Sequence, residues 1–268
     1  KVMLADKSTR YVGIVGLMKA RLAAKDYEAA LQLAERAFAL RPRDLVMQDA
    51  LFDLQIQQGH WGGARQTLRY KVKSGTMPRD VATRREAVLL VGDAMKAHAA
   101  GDAPRARADA LAANRAAPGL VPAAVLAAQV HAGDGNMRAA QTALRKAWDQ
   151  TPHPDLAAAW GGLVQNEDTA ARLKRFAPLL KLKPEHPETR MLECELMLAA
   201  EDFPAARRAL ADIASTAPTS RSLSLMAAVV QGEGGDEHEV RAWLARALHA
   251  PRGEMWVCAS CNHLHSKW

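Results

Sequence analysis

The chain repeats itself, and that constrains its fold more than any single residue. A turn containing Gly or an acid is followed by a small residue, an apolar residue four later, Ala three after that, and Pro five further on. The clearest copies run from Lys25-Asp26-Tyr27 through Ala30, Ala34, Ala37 and Pro42, from Gly101-Asp102-Ala103 through Ala106, Ala110, Ala113 and Pro118, and from Glu201-Asp202-Phe203 through Ala206, Leu210, Ile213 and Pro218. Weaker copies are anchored on Ala64, Ala140, Arg172 and Val240. The anchors at 30, 64, 106, 140, 172, 206 and 240 are separated by 34, 42, 34, 32, 34 and 34 residues. Each residue type has a physical reason. The small side chain lets two helices approach closely. The Pro cannot continue a helix and marks its stop. Asp26, Asp102 and Asp202 stand where an N-cap accepts from free backbone N–H groups, and Pro104 and Pro204 fall in a first turn, where proline is tolerated.

A period near 34 residues with this pattern is the signature of tetratricopeptide (TPR) repeats, two antiparallel helices per unit. The expected fold is all-α: a right-handed superhelical solenoid of about seven helical hairpins over residues 1–250, with a short tail at 251–268. The step of 42 residues carries an insertion around Lys73-Ser74-Gly75-Thr76-Met77-Pro78, expected to lengthen the second hairpin and the helix from Val81 to Ala100. The step of 32 is expected to shorten a turn near Asn166-Glu167-Asp168.

Composition adds partner classes. The formal charge of +7 and pI near 9.5 point to an anionic neighbour: an acidic protein, a phospholipid surface or nucleic acid. Nucleic acid is the weakest of these, because no basic cluster is interleaved with aromatics. No stretch is long and apolar enough to span a membrane, and no signal peptide is visible. The chain starts at Lys1 without an initiator Met, so a segment upstream is expected.

Motifs for catalysis are absent: there is no Gly-x-Ser-x-Gly, phosphate loop, His-Glu-x-x-His or dinucleotide fingerprint. Gly232-Glu233-Gly234-Gly235 reads as a helix–helix turn. His60, His131, His153 and His186 read as turn or linker residues, and Cys194 as a buried thiol on a helix. The chain is therefore expected not to be an enzyme. Cys258 and Cys261 differ. Thiolates in Cys-x-x-Cys spacing can grip one metal ion, but zinc or iron at tetrahedral sulfur needs four ligands, and two are here.

Beyond the generic repeat positions, several runs resemble the bacterial HemY-type tetratricopeptide proteins, closest to alphaproteobacterial members. They are Ala116-Ala117-Pro118-Gly119-Leu120-Val121-Pro122, Pro152-His153-Pro154-Asp155, Arg172-Leu173-Lys174-Arg175-Phe176, Pro184-Glu185-His186-Pro187-Glu188, Trp243-Leu244-Ala245-Arg246 and Trp256-Val257-Cys258. The resemblance implies a bacterial inner-membrane protein with two N-terminal spans and a cytoplasmic repeat domain. Its implied partners are haem-pathway enzymes, and a second Cys pair would complete a rubredoxin-like knuckle. An alternative within the same architecture resembles LapB, a regulator of lipopolysaccharide synthesis.

In such a solenoid the first helix of each pair lines a concave face. By helical position the candidates for binding a partner or ligand are Lys19, Asp49, Asp53, Gln57, Met95, His98, Gln129 and Glu195. Direct handling of haem or porphyrin would require an axial ligand in an apolar slot, for which His98 with Met95, or Cys258 with Cys261, are the candidates.

Overall fold

The computed structural model describes residues 2–210, 212–253, 255–257 and 264–265. Sixteen helices lie among them. A short α1 (Val2–Ala5) precedes seven helical pairs. These are α2 (Arg10–Ala23) with α3 (Tyr27–Leu40), α4 (Leu45–Gln57) with α5 (Trp61–Lys73), and α6 (Arg79–Ala99) with α7 (Ala103–Ala116). Then come α8 (Val121–Gly133) with α9 (Met137–Gln150), α10 (Pro154–Gly162) with α11 (Thr169–Leu180), and α12 (Pro187–Ala199) with α13 (Phe203–Leu210) and α14 (Ile213–Thr216). The last pair is α15 (Ser220–Gly232) with α16 (Glu237–His249). The chain divides into two compact units, residues 1–123 and 124–268.

Most pairs are closed in the same way. The second residue after the first helix takes a left-handed conformation: Lys25, Gly59, Gly101, Gly135, Glu201 and Gly234, with φ between 56° and 78°. The next N–H then donates five residues back, as Asp26 does to Arg21, Asp102 to Ala97 and Asp202 to Met197. This 6→1 bond satisfies a carbonyl that the helix end leaves free. The following acid or amide caps the second helix: Asp26, Asp102, Asn136 and Asp202 accept from the N–H three residues on. The anchors Ala30, Ala64, Ala140 and Ala206 are completely buried, as close helix approach requires, and Ala106 is partly so.

The insertion does lengthen α6, to 21 residues. It is also tied down: the Thr76 hydroxyl donates to Gln48 Oε1 at 2.9 Å, and the Gln48 amide donates to the Pro42 carbonyl at 2.8 Å. The short step departs from expectation. The turn near Asn166 is not shortened but runs from 163 to 168, and the missing length is in α10, a helix of 9 residues. A side chain closes this pair. The Arg175 guanidinium donates to the carbonyls of Trp160 and Gly161, at the end of α10, and pairs with Glu167 in the turn. Glu167 also faces Arg172 at 3.5 Å. Its carboxyl is held below the usual glutamate range, chiefly by the hydrogen bonds from Arg175.

Within the first unit the core joins Ile14 and Met18 of α2, Leu31 and Ala34 of α3, and Met47 and Leu51 of α4. The Tyr11 hydroxyl donates to the Asp44 carboxylate at 2.6 Å, joining α2 to the residue that caps α4. Burial, then this bond, pushes the Tyr11 hydroxyl up to about 12. Within the second unit Met191, Cys194, Leu210, Leu223, Met226 and Val229 form a cluster under Trp243. His153 and His186 each cap a helix, accepting through Nδ1 from the N–H of Asp155 and Glu188. The segment after α16 is held to this unit: Ser220 N–H donates to the Pro251 carbonyl at 2.8 Å, and the Trp256 ring lies 5.3 Å from that of His153. Two short strands, β1 (Trp256–Val257) and β2 (Leu264–His265), pair antiparallel, Trp256 opposite His265. Cys258 and Cys261 lie outside the described residues.

Candidate interaction surface

Lys19, Asp53, Met95, Gln129 and Glu195 each stand eleven residues before the anchor of their repeat, so they occupy one repeat position. The first four are exposed, Glu195 and the equivalent Gly161 are half-buried, and Val229, eleven before Val240, is fully buried. The buried anchors are nearly uniform in type, whereas this position carries a cation, an anion, a thioether, an amide and a second acid. Surface accessibility with unlike chemistry is what separates a contact position from a packing position.

In the first unit α4 presents Asp49, Asp53 and Gln57, all exposed, beside Val46, which is 77% exposed. Asp49 is engaged by the buried ammonium of Lys71 from α5. Both Lys71 and Arg85 approach the Phe52 ring, at 5.8 and 5.9 Å from its centre, so apolar α4 surface lies under two cations. Asp53 has no ion pair of its own among the described residues. Its carboxyl is raised, first by partial burial and then by Asp49, with Lys71 and Arg85 opposing. A carboxylate short of counter-charge gains from an added donor. Met95 and His98 lie on α6, both exposed, Met95 at 48%. The structure therefore gives His98 no apolar slot; it is in water, where an axial ligand to haem gains nothing from its surroundings.

In the second unit Gln129 lies exposed on α8, and Glu195 is taken up within the fold. Arg221 of α15 donates to Glu195 at 2.9 Å and to both oxygens of Glu188 at 2.7 Å, joining α15 to α12. Beneath them Cys194 is fully buried, and desolvation pushes its thiol up to about 12, matching the inert reading. Sequence reasoning missed Lys71, Arg85 and Arg221. The one available signal was a basic residue at an otherwise apolar helical position, as with Lys71 between Leu68 and Val72.

Among the described residues no group of three or more His, Cys, Asp or Glu is placed to hold a metal ion. Nor is any described helix long and apolar enough to cross a membrane. The β1–β2 ladder brackets the Cys258/Cys261 stretch, and two thiolates are half of a tetrahedral set.

The fold and this surface define an all-helical repeat protein of tetratricopeptide type. No protein-family model matches the chain. Over 218 residues it is 29% identical to the probable magnetosome protein Mms48 of Magnetospirillum gryphiswaldense, covering 81% of this chain and 48% of that protein. The chain thus spans about half the length of the curated relative it matches. That relative is named as a magnetosome protein and not as a HemY protein, so the HemY-type resemblance is not what the comparison returned. Among solved structures, a tetratricopeptide repeat protein from Parabacteroides merdae aligns at TM-score 0.36 with 13% identity, covering 89% of this chain and 98% of that one. A thermophilic TPR protein of Thermus thermophilus aligns at TM-score 0.27 with 20% identity, covering 89% and 99%.

Proposed function

We propose that this chain is a non-enzymatic scaffold that binds other proteins through the exposed position on the first helix of its hairpins. The observation that carries this is the repeat position of Lys19, Asp53, Met95 and Gln129: it is exposed in these four hairpins with different chemistry in each, although half-buried at Gly161 and Glu195 and buried at Val229. Asp53 is the residue we place at the centre of a contact, because its carboxyl lacks a matched cation. Haem-pathway enzymes as partners, and an inner-membrane location, rest on the HemY-type resemblance alone. The relative's name associates that protein with magnetosomes and says nothing of how it acts, so the scaffold reading rests on the repeat fold and the exposed position. Zinc or iron binding rests on Cys258 and Cys261 alone.

A photo-crosslinking residue placed at Asp53 or Met95 tests the proposal in cells. We expect discrete protein adducts at both positions and none when the same residue replaces Lys146, exposed on α9. Adducts equal at all three positions, or absent from all, would count against it.

A further inference from the structure

The charge of this chain is concentrated. Residues 65–85 hold seven basic side chains and one acid, Asp80, in a chain whose formal net charge is +7. This is the stretch that contains the insertion. Four of the seven cations are occupied within the fold. Arg65 faces Glu86, Asp93 and Asp109, Arg69 pairs with Glu86 at 2.9 Å, Lys71 pairs with Asp49, and Arg85 lies over Phe52 near Asp53. Lys73, Arg79 and Arg84 have no acidic partner among the described residues, and all three are exposed.

Lys73 and Arg79 line a groove of about 510 Å³ between the end of α5 and the start of α6. Its floor includes Leu68, Val72 and Ala82, and its one acid, Glu86, is already paired. On α6 the groove uses Arg79, Thr83 and Glu86, a different stripe from Arg85 and Met95 of the surface described above. We infer that this groove is a docking site for an acidic peptide segment that carries an apolar side chain. The unpaired cations on its rim call for carboxylates, and burying them against Lys73 and Arg79 restores the missing counter-charge. The apolar floor calls for a side chain that a phosphate backbone does not supply. A lipid surface would be met by apolar side chains standing proud of the cations, whereas here the apolar atoms lie at the bottom of a cleft. No aromatic side chain lines the cleft to stack a base.

The site differs in residues from the proposed scaffold surface, so either can fail without the other. The probe is a short labelled peptide of aspartates and glutamates around one central leucine, followed by fluorescence anisotropy with the whole chain. Binding is expected at low salt and weakens as salt rises. Lys73→Glu combined with Arg79→Glu is expected to weaken it about tenfold or more. Arg145→Glu with Lys146→Glu, exposed on α9, removes the same charge elsewhere and is expected to leave affinity within about twofold. Replacing the central leucine by serine is expected to weaken the peptide about threefold or more. Four results would overturn the inference: no binding, equal loss with the α9 reversal, indifference to the leucine, or capture of anionic vesicles while the peptide stays free.

Discussion

The insertion stretch at residues 65–85 and the arginines that close the second unit put their charges to different uses. In the second unit arginines close the fold. Arg175 ties the end of α10 to the turn, Arg190 reaches the Ala209 carbonyl and Asp212, Arg207 grips Glu233, and Arg221 joins α12 to α15. Each is matched by a carboxylate. In the first unit the insertion leaves Lys73, Arg79 and Arg84 unmatched and Asp53 without a cation of its own. The same repeat position shows the contrast within one pair: Glu195 is bonded to Arg221, while the equivalent Asp53 is not ion-paired. Charges matched inside the fold hold helices together, and charges left over are available to a partner. Substitutions should therefore affect stability at Arg175 and Arg221 and binding at Lys73 and Arg79.

The largest effect is expected from Arg221→Ala. It removes the guanidinium that bridges Glu188, whose side chain is 9% exposed, and Glu195. The loss is about 2 kcal/mol, since two carboxylates lose a charge-assisted donor and the arginine's own partial exposure moderates it. Cys194 reports this directly. In a background with Cys258→Ser and Cys261→Ser, the native thiol, pushed to about 12, should resist iodoacetamide near neutral pH, and Arg221→Ala should make it label faster. Equal labelling rates would show that Arg221 does not hold α12 and α15 together.

Arg175→Ala comes next, at about 2 kcal/mol, because it frees two carbonyls of α10 and a largely buried Glu167. By contrast Asp102→Ala, in a pair closed by backbone bonds, should cost only about 1 kcal/mol. Urea unfolding of both variants checks the order, and the reverse order would break the comparison.

Acid should separate lowered carboxylates from raised ones as well. Glu167 and Glu233 are held low by hydrogen bonds from Arg175 and Arg207. A lowered folded value contributes stability above the usual glutamate range, about pH 4.3, and that stability is lost as pH falls through the depressed values. Asp53 and Asp109 in the first unit are raised, first by burial, so protonating them relieves the native state. Amide exchange at low pH should accelerate in α11, α13 and α15, and at the start of α4, where Asp44 is also held low by the bond from Tyr11, while the surroundings of Asp53 and Asp109 are spared. The smallest effect on stability is expected from Lys73→Glu with Arg79→Glu, within about 0.5 kcal/mol, because neither cation has a partner to lose.

Much of the fold was legible because its signals are local. The left-handed turns at Gly59 and Gly101, the caps at Asp26, Asp102 and Asp202, and the buried Ala anchors all lie within a few residues of what they control. The short step was misplaced because its cause is not local: Arg175 reaches back fifteen residues to Trp160, and no nearby pattern marks a guanidinium that substitutes for a backbone bond. The exposed repeat position could be read from periodicity, but which members are consumed could not. That depends on Lys71 and Arg221, which come from other helices. His98 illustrates the same limit, since helical position alone did not show that its surroundings are open.

The most direct test of the scaffold reading uses the partner captured at position 53. Its affinity is measured for the unchanged chain and for Asp53→Lys with Met95→Glu, alongside the melting temperature of each. We predict affinity about tenfold weaker or more with an unchanged melting temperature, since both side chains are exposed. Unchanged affinity, or a loss that merely follows a fall in melting temperature, would contradict the account.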